Sequence, residues 1–252
     1  MTEKIALITG ANKGLGYETA AQLGRRGVTV LVGARSAERG EKAAASLCDE
    51  GIDASHVPLD VTDEDSVAAA ARRVESAHGR LDILVNNAGI AMGDGDGNTS
   101  SLTVATARQV FETNVLGVVS VTNAFLPLIR RSEAGRIVMV SSEVGSIATM
   151  LRTDTPEPIP ALQPGAYGAS KSALNALTVS YAKEFRDSSI KVNAVTPGYT
   201  ATDINGHQGW RTVEQGAAVL VEMALIGPDG PTGAFRHDGT IEFLDSDGAV
   251  PW

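Results

Sequence analysis

In the stretch PGAYGASKSALNAL, residues 164–177, Tyr167 and Lys171 stand four positions apart. On a helix, side chains at i and i+4 lie on one face, one turn from each other. A free tyrosine hydroxyl ionises near pH 10, too high for acid–base work at neutrality. A lysine ammonium about 4 Å from the phenolate favours the charged form by about 4 kcal/mol at an effective dielectric near 20, before desolvation is counted. That is up to roughly three pKa units, enough to poise the tyrosine for proton transfer. The spacing permits this chemistry without requiring it, since a half-buried tyrosine with its hydroxyl in water is the commoner case. Of the four tyrosines only Tyr167 has a lysine four residues on, and the chain holds six lysines, which argues against chance pairing.

A second chemical signal lies near the N-terminus. ITGANKGLGYETAAQLGRRG places Gly10, Gly14 and Gly16 between an apolar run and an Ala-rich amphipathic one. Glycines there let the backbone turn tightly and approach a pyrophosphate, while the following helix start offers free N–H groups and positive potential. The spacing is G-x3-G-x-G and departs from the G-x-G-x-x-G fingerprint. Dinucleotide sites that prefer NAD carry an acidic residue at the end of the second strand to grip the ribose hydroxyls. Here VGARSAERG supplies Ala34, then Arg35, with Arg39 close behind, and Lys13 adds a cation from the glycine loop. An acid would repel a 2′-phosphate and these cations would hold it, so NADP(H) is expected over NAD. Arg35 and Arg39 as ordinary solvated charges is the competing reading.

These residues need a scaffold, and the pattern of the chain supplies one. KIALIT (4–9), VTVLVG (28–33), SHVPLD (55–60), DILVNN (82–87), RIVMVS (136–141) and IKVNAV (190–195) read as strands, with TIEFL (240–244) as a seventh. Their near-continuous hydrophobicity fits parallel strands buried on both faces. Helix-like segments near 14–26, 37–50, 63–78, 104–131, 166–187 and 212–225 alternate with them. The expected fold is therefore α/β: a Rossmann-type, doubly wound parallel sheet of about seven strands with helices on both faces. No shift in composition marks a second domain, so 1–252 is expected to form one unit.

Two stretches interrupt this rhythm. MGDGDGNTSS (92–101) is a Gly- and Asp-rich loop; Asp94, Asp96 and Asn98 resemble the start of a calcium loop. Thr99 and Ala105 stand where its glycine and glutamate should be, so no metal site is expected. The segment 149–165 carries Pro156, Pro158, Pro160 and Pro164 and reads as neither helix nor central strand. Four scattered histidines (56, 78, 207, 237) show no ligand spacing. A net charge of −9 disfavours a nucleic-acid partner, and no apolar run approaches a membrane span. The lone Cys48 reads as a small apolar helix residue and fits a reducing compartment. With no signal peptide ahead of the first strand, a soluble, cytoplasmic protein is expected.

TGANKGLG, NNAG (86–89), FETNVLG (111–117), IVMVSS (137–142), YGASK (167–171) and VNAVTPGYTATD (192–203) occur in the order found in the short-chain dehydrogenase/reductase family. The chain resembles that family's single-domain branch, over about residues 4 to 203. TGANKGLG, the basic GARSAERG and the long interval before Tyr167 look most like the NADPH-dependent carbonyl reductase subgroup. The resemblance implies a small carbonyl or alcohol substrate and roles position by position. Tyr167 would exchange the proton, Ser142 would hydrogen-bond the substrate carbonyl, and Lys171 would bind the nicotinamide ribose and lower the tyrosine pKa. Asn114 would hold a water linking the lysine to solvent. Gly10, Asn12, Lys13, Gly14, Leu15 and Gly16 would cradle the cofactor, with Arg35 and Arg39 at its 2′-phosphate. Asp60, at the adenine, and Val61 would border it after the third strand. Asn87, Ala88 and Gly89 would line it, and Pro197, Gly198 and Thr202 would border the nicotinamide end.

Ser141 is the rival for the serine role. Alternation puts the two serines on opposite faces, and a strand buried on both sides does not reveal which face matters. The family pattern favours Ser142. Tyr167 follows Ser142 by 25 positions, more than in many members of the family. The surplus is the proline-rich segment, which could cover the substrate mouth or the helix faces used for oligomerisation, so monomer and homo-oligomer both stand. Met92, Val144 to Leu151 and Ile204 to Trp210 are pocket candidates. The alternative functions are a non-catalytic NADP-binding sensor on the same fold and a dyad used for epimerisation or dehydration. Sensors of this kind typically lose the tyrosine or lysine, and both are present.

Overall fold

The computed structural model describes residues 4–92, 97–152, 165–241, 244 and 247–252. Seven strands form one sheet: β1 (Ile5–Thr9), β2 (Thr29–Ala34), β3 (Ala54–Pro58), β4 (Ile83–Asn86), β5 (Arg136–Val140), β6 (Lys191–Val195) and β7 (Phe235–Arg236). All pairs are parallel and the order is β3-β2-β1-β4-β5-β6-β7. The helices are α1 (Gly14–Gly24), α2 (Ala37–Asp49), α3 (Glu64–His78), α4 (Val104–Phe111), α5 (Gly117–Ile129), α6 (Ile147–Met150), α7 (Gly165–Glu184) and α8 (Val213–Leu225). Leu7, Leu84 and Ile137 face α3, α5 and α7 through Val67, Phe125 and Leu174. Ile8, Val85 and Val138 face α1, α2 and α8 through Leu23, Leu47 and Leu220. Both faces of the sheet are thus covered, which is why β1, β2, β4 and β5 read as near-continuous apolar runs, whereas the edge strand β3 is partly exposed.

The chain builds outward from β1 to β3 and then returns to place β4 on the other side of β1. Connections diverge there, opening a crevice at the carboxyl ends of the strands. Thr9 holds that point. Its hydroxyl accepts from the backbone N–H groups of Asn87 (3.0 Å) and Ala88 (2.9 Å) and donates to the Val85 carbonyl at 3.4 Å. The Asn87 amide donates to the Thr9 carbonyl at 2.8 Å. The ends of β1 and β4 are therefore laced together beyond their last ladder pair, Ile8 with Val85.

Four expectations change. The seventh strand is Phe235–Arg236; Thr240 and Ile241 lie outside strands, and 242–243 lie outside the described residues. A π-helical turn, Glu112–Leu116, separates α4 from α5 in the helix expected over 104–131. The continuous rod Val104–Ile129 is long and apolar enough to cross a bilayer by length and composition, contrary to the sequence reading; 44% of its apolar window is buried inside the protein. Thr149 and Met150, at the head of the proline-rich segment, close the one-turn α6, whose Thr149 N–H bonds the Ser146 hydroxyl. Residues 153–164 of that segment, and Asp94 and Asp96, lie outside the described residues.

Thr9→Val keeps the shape of a fully buried side chain and removes the partner of the Ala88 N–H, while the Asn87 N–H keeps the Val85 carbonyl at 3.0 Å. We expect a loss of about 1–2 kcal/mol in urea unfolding; an unchanged midpoint would show that the Thr9 hydroxyl contributes nothing to the β1–β4 lacing.

Candidate active site

The cofactor half of the crevice starts where β1 ends. Gly10 has φ +66°, and a Cβ there would lie 3.1 Å from the Ala88 Cα. A Cβ on Gly16 would fall 2.5 Å from the Asn87 amide nitrogen and 2.7 Å from the Gly10 carbonyl. The loop therefore closes on itself only with glycine at both places. Lys13 is the N-cap of α1, and its side chain makes no cap bond to the first-turn N–H groups. A Cβ on Gly14 would stand 4.0 Å from the Thr202 methyl, so the loop faces the segment that follows β6. Asn12 and Leu15 belong to the same turn, with Leu15 packed on the core beneath.

At the end of β2 no carboxylate is present. Arg35 and Arg39 are exposed, and among the described residues neither is in an ion pair. Lys13 differs: its ammonium is bonded to Asp203. That bond, and a second from His207, hold the Asp203 carboxyl below the usual carboxylate range. Asp60 turns its carboxylate back onto Thr62, accepting from the backbone N–H (3.0 Å) and the hydroxyl (2.8 Å). Val61 packs against α5, where a Cβ on Gly117 would meet its carbonyl at 2.9 Å. Pro197 and Gly198 (φ +70°) turn the chain after β6, and Thr202 caps the 3-10 turn Asp203–Asn205.

The other half of the crevice gathers Tyr167, Lys171 and Asn114. Lys171, 4% exposed, donates to the Val140 carbonyl at 2.7 Å, and its nitrogen lies 5.5 Å from the centroid of the Tyr167 ring. The i, i+4 spacing on α7 thus brings the two together, as read from the sequence. Burial lowers the lysine pKa from 10.5 to about 8, which still leaves it mostly charged at neutral pH. A point beside Gly89, where its Cβ would stand, is 3.4 Å from Asn114 Oδ1 and 3.5 Å from Lys171 Nζ. Asn114 sits in the π-helical turn, with Oδ1 taking the Ile90 N–H at 2.9 Å. Its Nδ2 gives to the Ile90 carbonyl (2.9 Å) and the Ser170 hydroxyl (3.0 Å).

Burial separates the two serines. Ser141 is 2% exposed and gives its hydroxyl proton to Asn175 Oδ1 at 2.6 Å, tying β5 to α7. Ser142 is partly exposed and donates to Glu143 Oε2 at 3.2 Å. Sequence reasoning missed Glu143 and Thr196. The buried Glu143 accepts the Thr196 hydroxyl at 2.5 Å, and that oxygen in turn accepts from the Glu143 and Gly198 N–H groups at 3.2 Å each. The signal was a carboxylate directly after the serine, with no visible partner until β5 and β6 are paired. Among the pocket candidates, Val144 is core, whereas Leu151, Ile204 and Trp210 are exposed.

The lysine gives a pH prediction. Its folded pKa lies below the free value, so the unfolded chain binds more protons between about pH 8 and 10.5. The cost of burying the ammonium is full below pH 8 and fades as pH rises through that window. Relative to Lys171→Met, the native protein should gain about 3 kcal/mol from pH 7.5 to 10.5 in unfolding experiments. A constant difference would mean that the lysine titrates as it does in water.

Comparison with known proteins bears on this geometry. The short chain dehydrogenase family model matches residues 4–211. The chain is 39% identical to the short-chain dehydrogenase anuI of Penicillium roqueforti over 236 residues, covering 90% of each protein. Salutaridine reductase from Papaver somniferum superposes with a TM-score of 0.79 at 30% identity, over 94% of this chain and all of that one. A short chain dehydrogenase from Escherichia coli CFT073, solved in complex with NADPH, gives a TM-score of 0.81 at 27% identity over 93% and 96%. Sequence and fold agree, and the chain belongs to the short-chain dehydrogenase/reductase family.

Proposed function

We propose that the chain is an NADP(H)-dependent reductase of the carbonyl reductase type, acting on a small aldehyde or ketone or on the corresponding alcohol. One observation carries the reading: a buried, charged Lys171 lies against the Tyr167 ring, opposite a glycine cradle that tolerates no Cβ at Gly10 or Gly16. The cradle, the α1 N-terminus and the exposed Arg35 and Arg39 suit a phosphorylated dinucleotide. Gly10 to Gly16, Asp60, Val61, Asn87 to Gly89 and Pro197 to Thr202 would hold it. When bound, the nicotinamide supplies or accepts the hydride.

The chain's own groups manage the oxygen and its proton. Tyr167 gives its hydroxyl proton to the carbonyl oxygen as the carbon is reduced, and takes it back in alcohol oxidation. Ser142, held at the edge of the crevice, rotates its hydroxyl from Glu143 toward the same oxygen as a second donor. The Lys171 ammonium favours the phenolate left behind. Asn114 Oδ1, which takes one N–H, accepts a further hydrogen bond from a water that returns the proton. The single cysteine, exposed on α2, supports placing the protein in the cytoplasm.

A panel of aldehydes, ketones and quinones incubated with NADPH tests this. The native protein should oxidise NADPH with at least one member, and Tyr167→Phe should lose about 100-fold or more in kcat. Turnover of none, or an equally active variant, would refute the reductase assignment.

A further inference from the structure

Arg211 is 7% exposed and closes the loop that follows β6. Its N–H donates to the Tyr199 carbonyl at 3.2 Å, and its carbonyl accepts from the Ala201 N–H at 2.9 Å, so residues 199–211 return to their own starting point. The stem of the side chain lies against the Gly198 turn: a Cβ on Gly198 would fall 2.7 Å from Arg211 Cδ and 3.2 Å from its Nε. The guanidinium fastens this neck to a distant part of the chain. β7 pairs in parallel with β6 and ends at Arg236, so Asp238 stands at the carboxyl edge of the sheet beside that turn. Asp238 pairs with Arg211 Nη2, and the arginine and aspartate side chains are only 8% and 14% exposed. Thr240 completes a ring, its hydroxyl accepting from Arg211 Nη1 at 2.6 Å and donating to Asp238 Oδ1 at 2.7 Å. Nη2 also donates to the Gln215 carbonyl, in the first turn of α8, at 3.1 Å. Nε is buried with no partner among the described residues. A buried ion pair with an unmet donor is a poor stabilising device, and apolar side chains of similar volume would serve stability better. Asp238 and Thr240 lie beyond residues 4–211, which the family model matches.

We propose that Arg211 and Asp238 form a clasp that positions the Gly198 turn at the nicotinamide end of the crevice, so that the C-terminal segment helps to hold the reactive half of the cofactor. The inference rests on the cofactor reading above, in which Pro197, Gly198 and Thr202 border the nicotinamide. Thr196 braces the same turn from the β5 side: its hydroxyl accepts the Gly198 N–H at 3.2 Å and bonds Glu143, next to Ser142. The clasp is the second support, pressed against Gly198 from the other side of the loop neck. Arg211 and Asp238 are positioning residues, acting through the turn and not on the reacting atoms. The adenosine half of the cofactor would lie between the glycine loop and the end of β2, and β6 is three strands from β1 on the opposite side. Loss of the clasp should therefore spare that half.

Calorimetric titration of NADPH, and of adenosine 2′,5′-bisphosphate, which lacks the nicotinamide half, tests the clasp without turnover in the native protein, Asp238→Asn and Thr240→Val. Asp238→Asn should weaken NADPH about tenfold and Thr240→Val about threefold, while the bisphosphate binds all three proteins alike. Equal losses for the two ligands would mean a general defect, and an unchanged NADPH affinity would mean that the clasp does not govern the turn; either result overturns the proposal. If Asp238→Asn fails to fold, Thr240→Val, which removes one neutral group, decides the same comparison. Hydrogen exchange reads the clasp with no ligand present. In the variants the amides of 199–211 should exchange about tenfold faster, with those of β1, β4 and β5 unchanged; native-like exchange in the loop would overturn the proposal by itself. If the native protein binds neither NADPH nor the bisphosphate, the cofactor reading fails and the nicotinamide part of the proposal with it, while exchange at 199–211 still decides whether the clasp positions the loop.

Discussion

The site depends on a charge kept where charge is costly. Lys171 lies almost wholly inside the protein, with a backbone carbonyl of β5 and the face of Tyr167 beside its ammonium. A buried ammonium is destabilising by itself, and its depressed pKa measures that cost. The fold offsets it with neighbours that act only in this arrangement. The Val140 carbonyl ends β5, Ser141 fastens β5 to α7, and α7 carries Tyr167 one turn before the lysine. A residue that served stability alone would be better as methionine. Under the proposed function the penalty is intelligible, because the same charge would favour the Tyr167 phenolate.

A second constraint joins the half of the crevice that holds Tyr167 and Lys171 to the half that holds the glycine loop. The switch in strand order between β1 and β4 opens the crevice, and Thr9 and Asn87 keep its two rims in register. Asn114 does the equivalent work on the far side. Its amide spans Ile90, just after β4, and Ser170 on α7, and the π-helical turn places it there. Glu143 and Thr196 join the ends of β5 and β6, behind Ser142 and ahead of the Pro197–Gly198 turn. Each half is rigid through side-chain bonds to backbone near the strand ends, so loops carry the chemistry while the sheet fixes its geometry.

Much of this was legible in residue order. Five of the seven strands were readable because burial on both faces leaves a near-continuous apolar signature, and β3, at the sheet edge with only His56 and Val57 buried, was readable from its place in the strand–helix alternation. The Tyr167–Lys171 pairing was readable because helical periodicity is local. What escaped detection depends on long-range partners. The two-residue β7 is too short to leave a pattern and pairs only because β6 is beside it. The π-helical turn has no local sequence cue; it exists to deliver the Asn114 amide to Ile90 and Ser170. The choice between Ser141 and Ser142 needed the position of Asn175, and the pairing of Lys13 with Asp203 spans 190 residues of chain. Glu143 looked like an ordinary charge until Thr196 supplied its partner.

The central claim is that the Lys171 charge acts on the Tyr167 hydroxyl. Ultraviolet difference titration of the native protein against Tyr167→Phe isolates that hydroxyl among the four tyrosines. The same pair of measurements in a Lys171→Met background removes the charge. The account predicts ionisation below the ordinary tyrosine value near 10 with the lysine present, and a return to that value or above it without the lysine. Identical titrations in the two backgrounds would contradict it.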